Sequence, residues 1–326
     1  MPLQNPKEVL VLTILKICLA SGLLYWLAHE YQLALSSVSD AFFTWSQGVI
    51  LLSLLGHFSC QIFRWLLLLR LQEIQLSWAV GTRLFFIGQF FLITSLGAVG
   101  GEVARGYYVI KHSGSAKLAG ASTVVADRMI GLFTYLLIGG ISFLVLWGGG
   151  GLPESLLGMG WVILSLLLGM VLLFLLAGSS IGQRLLHALL PNSWCELLQR
   201  ILKAFHPAQK SVQWAMGLSL LANFWHLLAF MAAGRALNVP LGWGDVFLAL
   251  PLVVLANSLP LPLGGLGAGE TAAQLLLMQL GVPNGAMIML FMRITQWSLL
   301  VPLGLFCYLT ERDPSGMAVK REPNLD

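Results

Sequence analysis

The 326-residue chain is 57% hydrophobic and only 10% charged, with a formal net charge of +4. Soluble domains carry about 25% charged residues, so this composition and the mean hydropathy of +0.83 indicate an integral membrane protein. The basic residues are spread over several loops, which argues against nucleic-acid binding because that needs a contiguous cationic surface. The four cysteines lie far apart without metal-binding spacing, so we expect neither a metal nor a cofactor.

Six segments are apolar over about 20 residues, the length that crosses a bilayer as a helix. They comprise residues 9–28, 47–69, 122–147, 157–178, 213–233 and 284–309. Segment 9–28 is longer than the core of a cleavable signal peptide and lacks a cleavage pattern, so we expect it to be retained as the first span. The chain is predicted to form one all-α integral membrane domain over residues 1–310, followed by a cytoplasmic tail at 311–326.

Two further apolar stretches, 79–99 and 246–281, are each interrupted by glycine or proline. Lysine and arginine are concentrated in the polar stretches 70–83 and 103–121, and short loops rich in these residues usually face the cytoplasm. Residues 84–101 are therefore predicted to form a re-entrant hairpin that opens to the cytoplasm. By the same logic the second stretch begins and ends outside, and both chain termini are cytoplasmic. The alternative is that the first stretch spans fully and the charge bias fails there.

Both broken stretches place a glutamate and an arginine in apolar sequence. Glu102 precedes Arg128 by 26 residues, and Glu270 precedes Arg293 by 23 residues. The two spacings differ by less than one helical turn. A Gly-interrupted apolar segment in corresponding positions of two halves is typical of the binding site of a secondary transporter. The sequence therefore predicts an inverted repeat.

The predicted repeat halves are roughly 47–147 and 213–309. Their hairpin glycines are Gly100, Gly101, Gly264, Gly265, Gly267 and Gly269. Glycine permits backbone angles that other residues avoid, and a helix that restarts after such a turn points its N–H groups at an anion site. The alternative is that these glycines only allow helices to pack closely, as small residues do in membranes.

Charged residues at membrane depth are costly and usually mark a pathway or a ligand site. We predict that the substrate is bound and translocated by Glu102, Arg105, Arg128, Glu270 and Arg293. Asp127 and His226 are candidates for a proton relay. The alternative is that the glutamates and arginines form structural ion pairs between hairpins and helices. Arg64 lies less than two turns before Arg70, and we expect its long side chain to reach the membrane surface.

Three motifs resemble a known family. They are Ser-x-x-x-x-Gly-Gly-Glu-x-x-Arg at 95–105, the Asp127-Arg128 pair, and Pro-x-Gly-Gly-x-Gly-x-Gly-Glu at 262–270 followed by Arg293. Together they resemble the lysylphosphatidylglycerol synthase transmembrane region, also called the flippase-like family, and the resemblance covers essentially the whole chain. It implies a membrane part associated with moving lipid between leaflets. Full-length synthases continue into a soluble aminoacyltransferase domain, and because few residues follow the last predicted span, we do not expect aminoacyl-lipid synthesis here.

We therefore expect a multi-pass protein of the bacterial cytoplasmic (inner) membrane that binds a lipid with an anionic headgroup and moves it between leaflets. A phospholipid, a glycolipid or a polyprenyl-phosphate-linked sugar would each fit. No P-loop, zincin motif or nucleophile elbow is present, so we do not expect an enzyme. The alternatives are a membrane-embedded lipid-modifying transferase and an accessory subunit of a lipid or glycan biosynthesis complex. The expected partners are a membrane lipid and a biosynthetic enzyme, with the lipid, direction, energy source and oligomeric state left open.

Overall fold

The regular secondary structure is entirely helical in the residues that the computed structural model describes, which are 41–94, 98–113, 117–177, 209–258 and 265–311 together with Tyr25 and His29. Nine α-helices and one short 3₁₀ helix occur in these ranges. The helices are α1 (Trp45–Leu71), α2 (Trp78–Thr94), α3 (Ala98–Ser113), α4 (Lys117–Gly148), α5 (Leu157–Ala177), α6 (Lys210–Ala236), α7 (Trp243–Asn257), α8 (Ala268–Gln279) and α9 (Gly285–Leu309). The all-α prediction is confirmed.

Five of these helices, α1, α4, α5, α6 and α9, are long and apolar enough to cross a bilayer. They correspond to five of the six predicted spans, and their ends agree within a few residues for most of them. The predicted first span, 9–28, lies outside the described residues except for Tyr25, and the predicted tail lies outside them except for Glu311. The chain is a polytopic helical membrane protein.

Each predicted re-entrant segment is a pair of shorter helices. α2 and α3, of 17 and 16 residues, pack against each other, and so do α7 and α8, of 15 and 12 residues. At 1.5 Å per residue none of the four exceeds about 26 Å, which is less than the ~30 Å hydrocarbon core of a bilayer. The side from which each hairpin enters the membrane, and its depth, stay predictions.

The helix contacts follow the same pattern in the two predicted halves. α1 packs along α6. The first hairpin contacts α9 through α2 and α4 through α3, whereas the second contacts α4 through α7 and α9 through α8. Each hairpin therefore packs against the last helix of its own predicted half and against the last helix of the other. The division into repeat halves itself stays a prediction.

Large apolar side chains are found both inside the helix bundle and on its outer surface. Trp65, Phe85 and Phe291 are fully buried and belong to one continuous core. Val145 and Phe306 are more than half exposed. A contiguous apolar exterior would favour aggregation in water, whereas it matches the hydrocarbon of a membrane.

Candidate functional site

Polar residues recur at helical spacing on three neighbouring helices. α1 carries His57, Gln61 and Arg64, α6 carries Ser219, Asn223 and His226, and α4 carries Asp127 and, two turns later, Thr134. Steps of three and four residues place each set on one face of its helix. Because the rest of each helix is largely apolar, these faces turn toward one another in the bundle.

A cavity of about 230 Å³ lies where these faces meet the two hairpins. The helices α1, α2, α3, α4, α6, α7 and α9 all contribute to its wall. Its charged lining residues are Arg64, Glu102, Arg105, Asp127, Arg128 and Arg293. Glu270 stands behind Arg293, to which it is ion-paired. The structure thus brings the charged residues of both predicted halves to one chamber.

The first charged group of this chamber is the Asp127 cluster, which consists of Asp127, Arg64 and Arg105, all buried. Arg64 Nε donates to Asp127 Oδ1 at 2.8 Å, and Arg105 donates to Oδ2 through Nη1 at 3.3 Å and Nη2 at 3.4 Å. The Arg105 guanidinium also lies 4.2 Å from the ring centre of Trp65, a cation–π geometry. Asp127 is thus the shared counter-charge of two arginines, and its predicted role in a proton relay stays a prediction.

The position of Arg64 corrects the expectation that its side chain reaches the membrane surface. Arg64 is buried, and besides Asp127 its Nη1 donates to Ser219 Oγ at 2.7 Å. Ser219 in turn shares a hydrogen bond of 2.8 Å with Thr134. Pairing stabilises a charge inside a membrane. The Arg64 guanidinium therefore stays with the Asp127 carboxylate and the Ser219 hydroxyl and does not extend past Arg70 to the lipid headgroups.

Arg105 reaches the cluster because Gly88 has no side chain. A Cβ on Gly88 would overlap the aliphatic part of Arg105, at 2.6 Å from Cδ. Arg105 Nε is buried and has no hydrogen-bond partner among the described residues, and a buried, unpartnered donor is costly. Protein atoms cover this nitrogen, but the Arg105 side chain lines the cavity, so the guanidinium as a whole is the candidate contact for an anion.

The hairpin glycines divide between close packing and turn formation. A Cβ on Gly101 would lie 2.6 Å from the backbone oxygen of Gly88, so Gly101 lets α3 close onto α2. Gly269 likewise leaves room for a side chain of α7. Gly265 and Gly267 have φ values of 80° and 90°, which only glycine adopts without strain. Both interpretations of the glycines therefore apply, at different positions.

Two of the hairpin glycines lie at or beyond the edge of a described range. Gly100 lies in the first turn of α3 as the structure describes it, and residues 95–97 before this helix lie outside the described residues. Gly264 lies outside the described residues.

The second charged group is the buried pair, Glu270 and Arg293, whose side chains are 1% and 4% exposed. Arg293 Nε donates to Glu270 Oε1, and Nη2 lies 3.3 Å from Oε2. Nη2 also donates to Asn257 Oδ1 at 2.8 Å. Glu270 Oε2 accepts the N–H of Gly267, which caps α8, at 2.8 Å. The helix N-terminus that was expected to face an anion is therefore satisfied in part by its own glutamate.

The third charged group is the accessible pair, Glu102 and Arg128. These residues form an ion pair through Arg128 Nε and Glu102 Oε1, and their side chains are 31% and 34% exposed. The glutamate–arginine ion pairs that the sequence analysis gave as the alternative are thus present in both hairpins. Whether these residues bind a substrate stays a prediction.

His226 lies on the cavity wall in a hydrogen-bonded chain. Its Nδ1 lies 2.6 Å from the hydroxyl of Tyr135, and its ring stacks on His57 at 4.7 Å. His57 Nδ1 donates to the carbonyl oxygen of Ala222 at 2.8 Å, so its Nε2 is free to accept from Gln61 at 2.6 Å. Within the described ranges, no three His, Cys, Asp or Glu side chains form a group that could hold a metal ion.

Arg64 and Gly88 belong to the site but were not predicted from the sequence. A sequence signal for Arg64 exists, because His57, Gln61 and Arg64 follow one another at four and three residues in an otherwise apolar helix. No sequence signal exists for Gly88, since nothing in its own helix indicates that an arginine of the next helix crosses there.

The chain was compared with known proteins. No curated protein and no solved structure matches it significantly. The family model of the lysylphosphatidylglycerol synthase TM region matches residues 13–304, which is most of the chain and includes both hairpins and all three charged groups. The chain therefore belongs to this family, whose name connects it with lipid handling in the membrane.

Proposed function

We propose that this protein binds the anionic headgroup of a membrane lipid in the central cavity and moves the lipid between leaflets without altering it chemically. A phospholipid, a glycolipid or a polyprenyl-phosphate-linked sugar has such a headgroup. The observation that carries the proposal is the charge of the cavity. The Asp127 cluster holds two arginines and one carboxylate, whereas the buried pair and the accessible pair are each neutral. One positive charge is therefore in excess among these residues.

Guanidinium groups suit this ligand because their planar fork matches the oxygens of a phosphate or carboxylate. Charge-assisted hydrogen bonds to such oxygens are roughly twice as strong as neutral ones. Arg105 lies on the cavity wall, and Asp127 is also paired with Arg64, so the Arg105 guanidinium can turn toward an anion while Asp127 keeps a counter-charge.

The size of the cavity supports a headgroup as the occupant. A volume of about 230 Å³ lies below the ~300–1,000 Å³ of pockets that enclose a drug-sized ligand. Two acyl chains do not fit in that space. The apolar tails would remain in the bilayer while the headgroup passes through the protein.

The state of the acidic residues supports transport over catalysis. Glu102, Asp127 and Glu270 are each ion-paired with arginine. A general acid or base must instead exchange protons near the working pH. We also propose that the basic loops face the cytoplasm and that the membrane is the bacterial cytoplasmic membrane, as the distribution of lysine and arginine indicates.

The proposal is tested by following a fluorescent phosphatidylglycerol in proteoliposomes with a membrane-impermeant quencher that reports the outer leaflet. The test variant is Arg105→Gln, which removes the excess charge while Asp127 keeps Arg64. The control is Arg235→Gln, the same change at an exposed residue outside the cavity. We expect movement with the wild type and the control, and roughly tenfold slower movement with Arg105→Gln, since one charge-assisted bond is worth about 1.5–3 kcal/mol.

Two results would contradict the proposal. If the wild-type protein leaves the lipid in its original leaflet, the protein does not translocate it. If Arg105→Gln moves the lipid as fast as the wild type does, the cavity is not the route. Mass spectrometry of the recovered lipid distinguishes a translocator from a transferase. A transferase changes the mass of the lipid in the presence of a donor, whereas a translocator leaves it unchanged.

A further inference from the structure

The two glutamate–arginine pairs have similar spacing in the sequence but different surroundings. The buried pair is almost completely excluded from solvent and has additional hydrogen bonds to Gly267 and Asn257. In the accessible pair, Arg128 is 34% exposed and Glu102 is 31% exposed. Among the described residues, Glu102 has no second ion-pair partner.

This difference decides which pair can open. Separating a buried, hydrogen-bonded pair leaves two unpaired charges in a medium of low dielectric constant, which is strongly unfavourable. Separating a partly solvated pair changes the free energy little, because water stabilises both ions once they are apart. Only the accessible pair can exchange its partner at low cost.

The accessible pair also lies next to the excess positive charge. Glu102 is on the same helix as Arg105, three residues away, and Arg128 directly follows Asp127. Arg64 and Arg105 share the carboxylate of Asp127. Three arginines therefore face two carboxylates on this side of the cavity, and a ligand with a single negative charge balances them.

We propose that Glu102 is an internal competitor for the phosphate of the lipid, so that a monoanionic phosphodiester binds by displacing the Glu102 carboxylate from Arg128. The phosphate then lies between the guanidinium groups of Arg128 and Arg105, which both line the cavity. Glu102 turns to the water of the cavity. The buried pair keeps its contacts throughout and holds the second hairpin in place. This inference rests on the proposed function and names the ligand class and the residue that limits its affinity.

The proposal predicts opposite effects for two glutamates that the sequence presents as equivalent. Glu102→Gln removes the competitor, so the phosphodiester no longer has to break an ion pair and binds more tightly. The expected gain is about fivefold, the upper range for a partly exposed pair. Glu270→Gln removes a structural contact and brings no gain in affinity.

The test measures equilibrium binding of radiolabelled dihexanoyl phosphatidylglycerol to the purified full chain in detergent. The control Glu154→Gln makes the same change at an exposed residue outside the cavity, and its affinity should equal that of the wild type. Arg128→Gln should bind more weakly. Glu102→Asp has a shorter side chain that reaches Arg128 less well, so its affinity should lie between those of the wild type and Glu102→Gln. This variant replaces Glu102→Gln in the test if Glu102→Gln does not fold.

An unchanged or weaker affinity in a folded Glu102 variant overturns this proposal alone, provided that the wild type binds the lipid. Absence of binding by the wild type would instead overturn the proposed function. A dianionic comparator, dihexanoyl phosphatidic acid, should gain more from Glu102→Gln than phosphatidylglycerol does, because the variant leaves two uncompensated positive charges where the wild type has one. A gain no larger than that of phosphatidylglycerol would contradict the charge balance on which the assignment to a monoanion rests.

Discussion

Loss of the Glu270 charge from the buried pair should strongly destabilise the protein. Glu270→Gln leaves the Arg293 guanidinium, 4% exposed, without its counter-charge. It also weakens the bond from the Gly267 N–H that caps α8. Removing one partner of a buried pair costs about 3–5 kcal/mol. For large domains each kcal/mol lowers the melting temperature by about 2–4 °C, so the expected loss is roughly 10 °C.

The assay is thermal unfolding of the purified protein in detergent, followed by intrinsic fluorescence. The matched control is Glu102→Gln, the same substitution in the accessible pair, which should cost at most about 1 kcal/mol. A double variant, Glu270→Gln with Arg293→Gln, removes both charges and should melt above Glu270→Gln alone. Additive losses in the double variant, or a melting temperature of Glu270→Gln equal to that of the control, would refute the reasoning.

Three further predictions concern packing, hydrogen bonding and topology. Gly88→Leu should displace Arg105 and slow phosphatidylglycerol movement in proteoliposomes, while circular dichroism shows unchanged helix content. An unchanged rate of movement would show that the position of Arg105 is not needed. Asn257→Ala should destabilise the protein by about 1.5–3 kcal/mol, because it removes one charge-assisted hydrogen bond of the Arg293 guanidinium, and a melting temperature within error of the wild type would contradict this. Cysteines placed at Glu73 and Ser115 in a cysteine-free background should be labelled from the same side of the membrane; labelling from opposite sides would mean that the first hairpin crosses it.

The spanning helices could be predicted because their signal is local. A run of apolar residues fixes both the existence and the approximate ends of a span, as the agreement between predicted 284–309 and α9 (Gly285–Leu309) illustrates. The charged residues of the hairpins were equally visible, since a glutamate in an apolar stretch stands out against its neighbours.

The partners of these residues were harder to predict because they are distant in the chain. Arg64 and Asp127 are 63 residues apart, and no feature of α1 alone indicates which helix supplies the carboxylate. The repeat also suggested equal roles for Glu102 and Glu270. Their burial differs because Asn257 and the Gly267 cap enclose only the second, and such enclosure depends on tertiary packing.

The contact between α2 and α9 has a consequence for how the protein is made. About 190 residues separate the end of α2 from the start of α9. At typical synthesis rates of about 5–20 residues per second, the ribosome needs roughly 10–40 s to produce them. During that interval the first hairpin is already in the nascent chain, but the helix that covers α2 does not yet exist. Glu102 and Arg105 find their partners on α4, which is made soon after the hairpin. The face of α2 that packs against α9 must be covered by lipid or by the insertion machinery until translation is nearly finished.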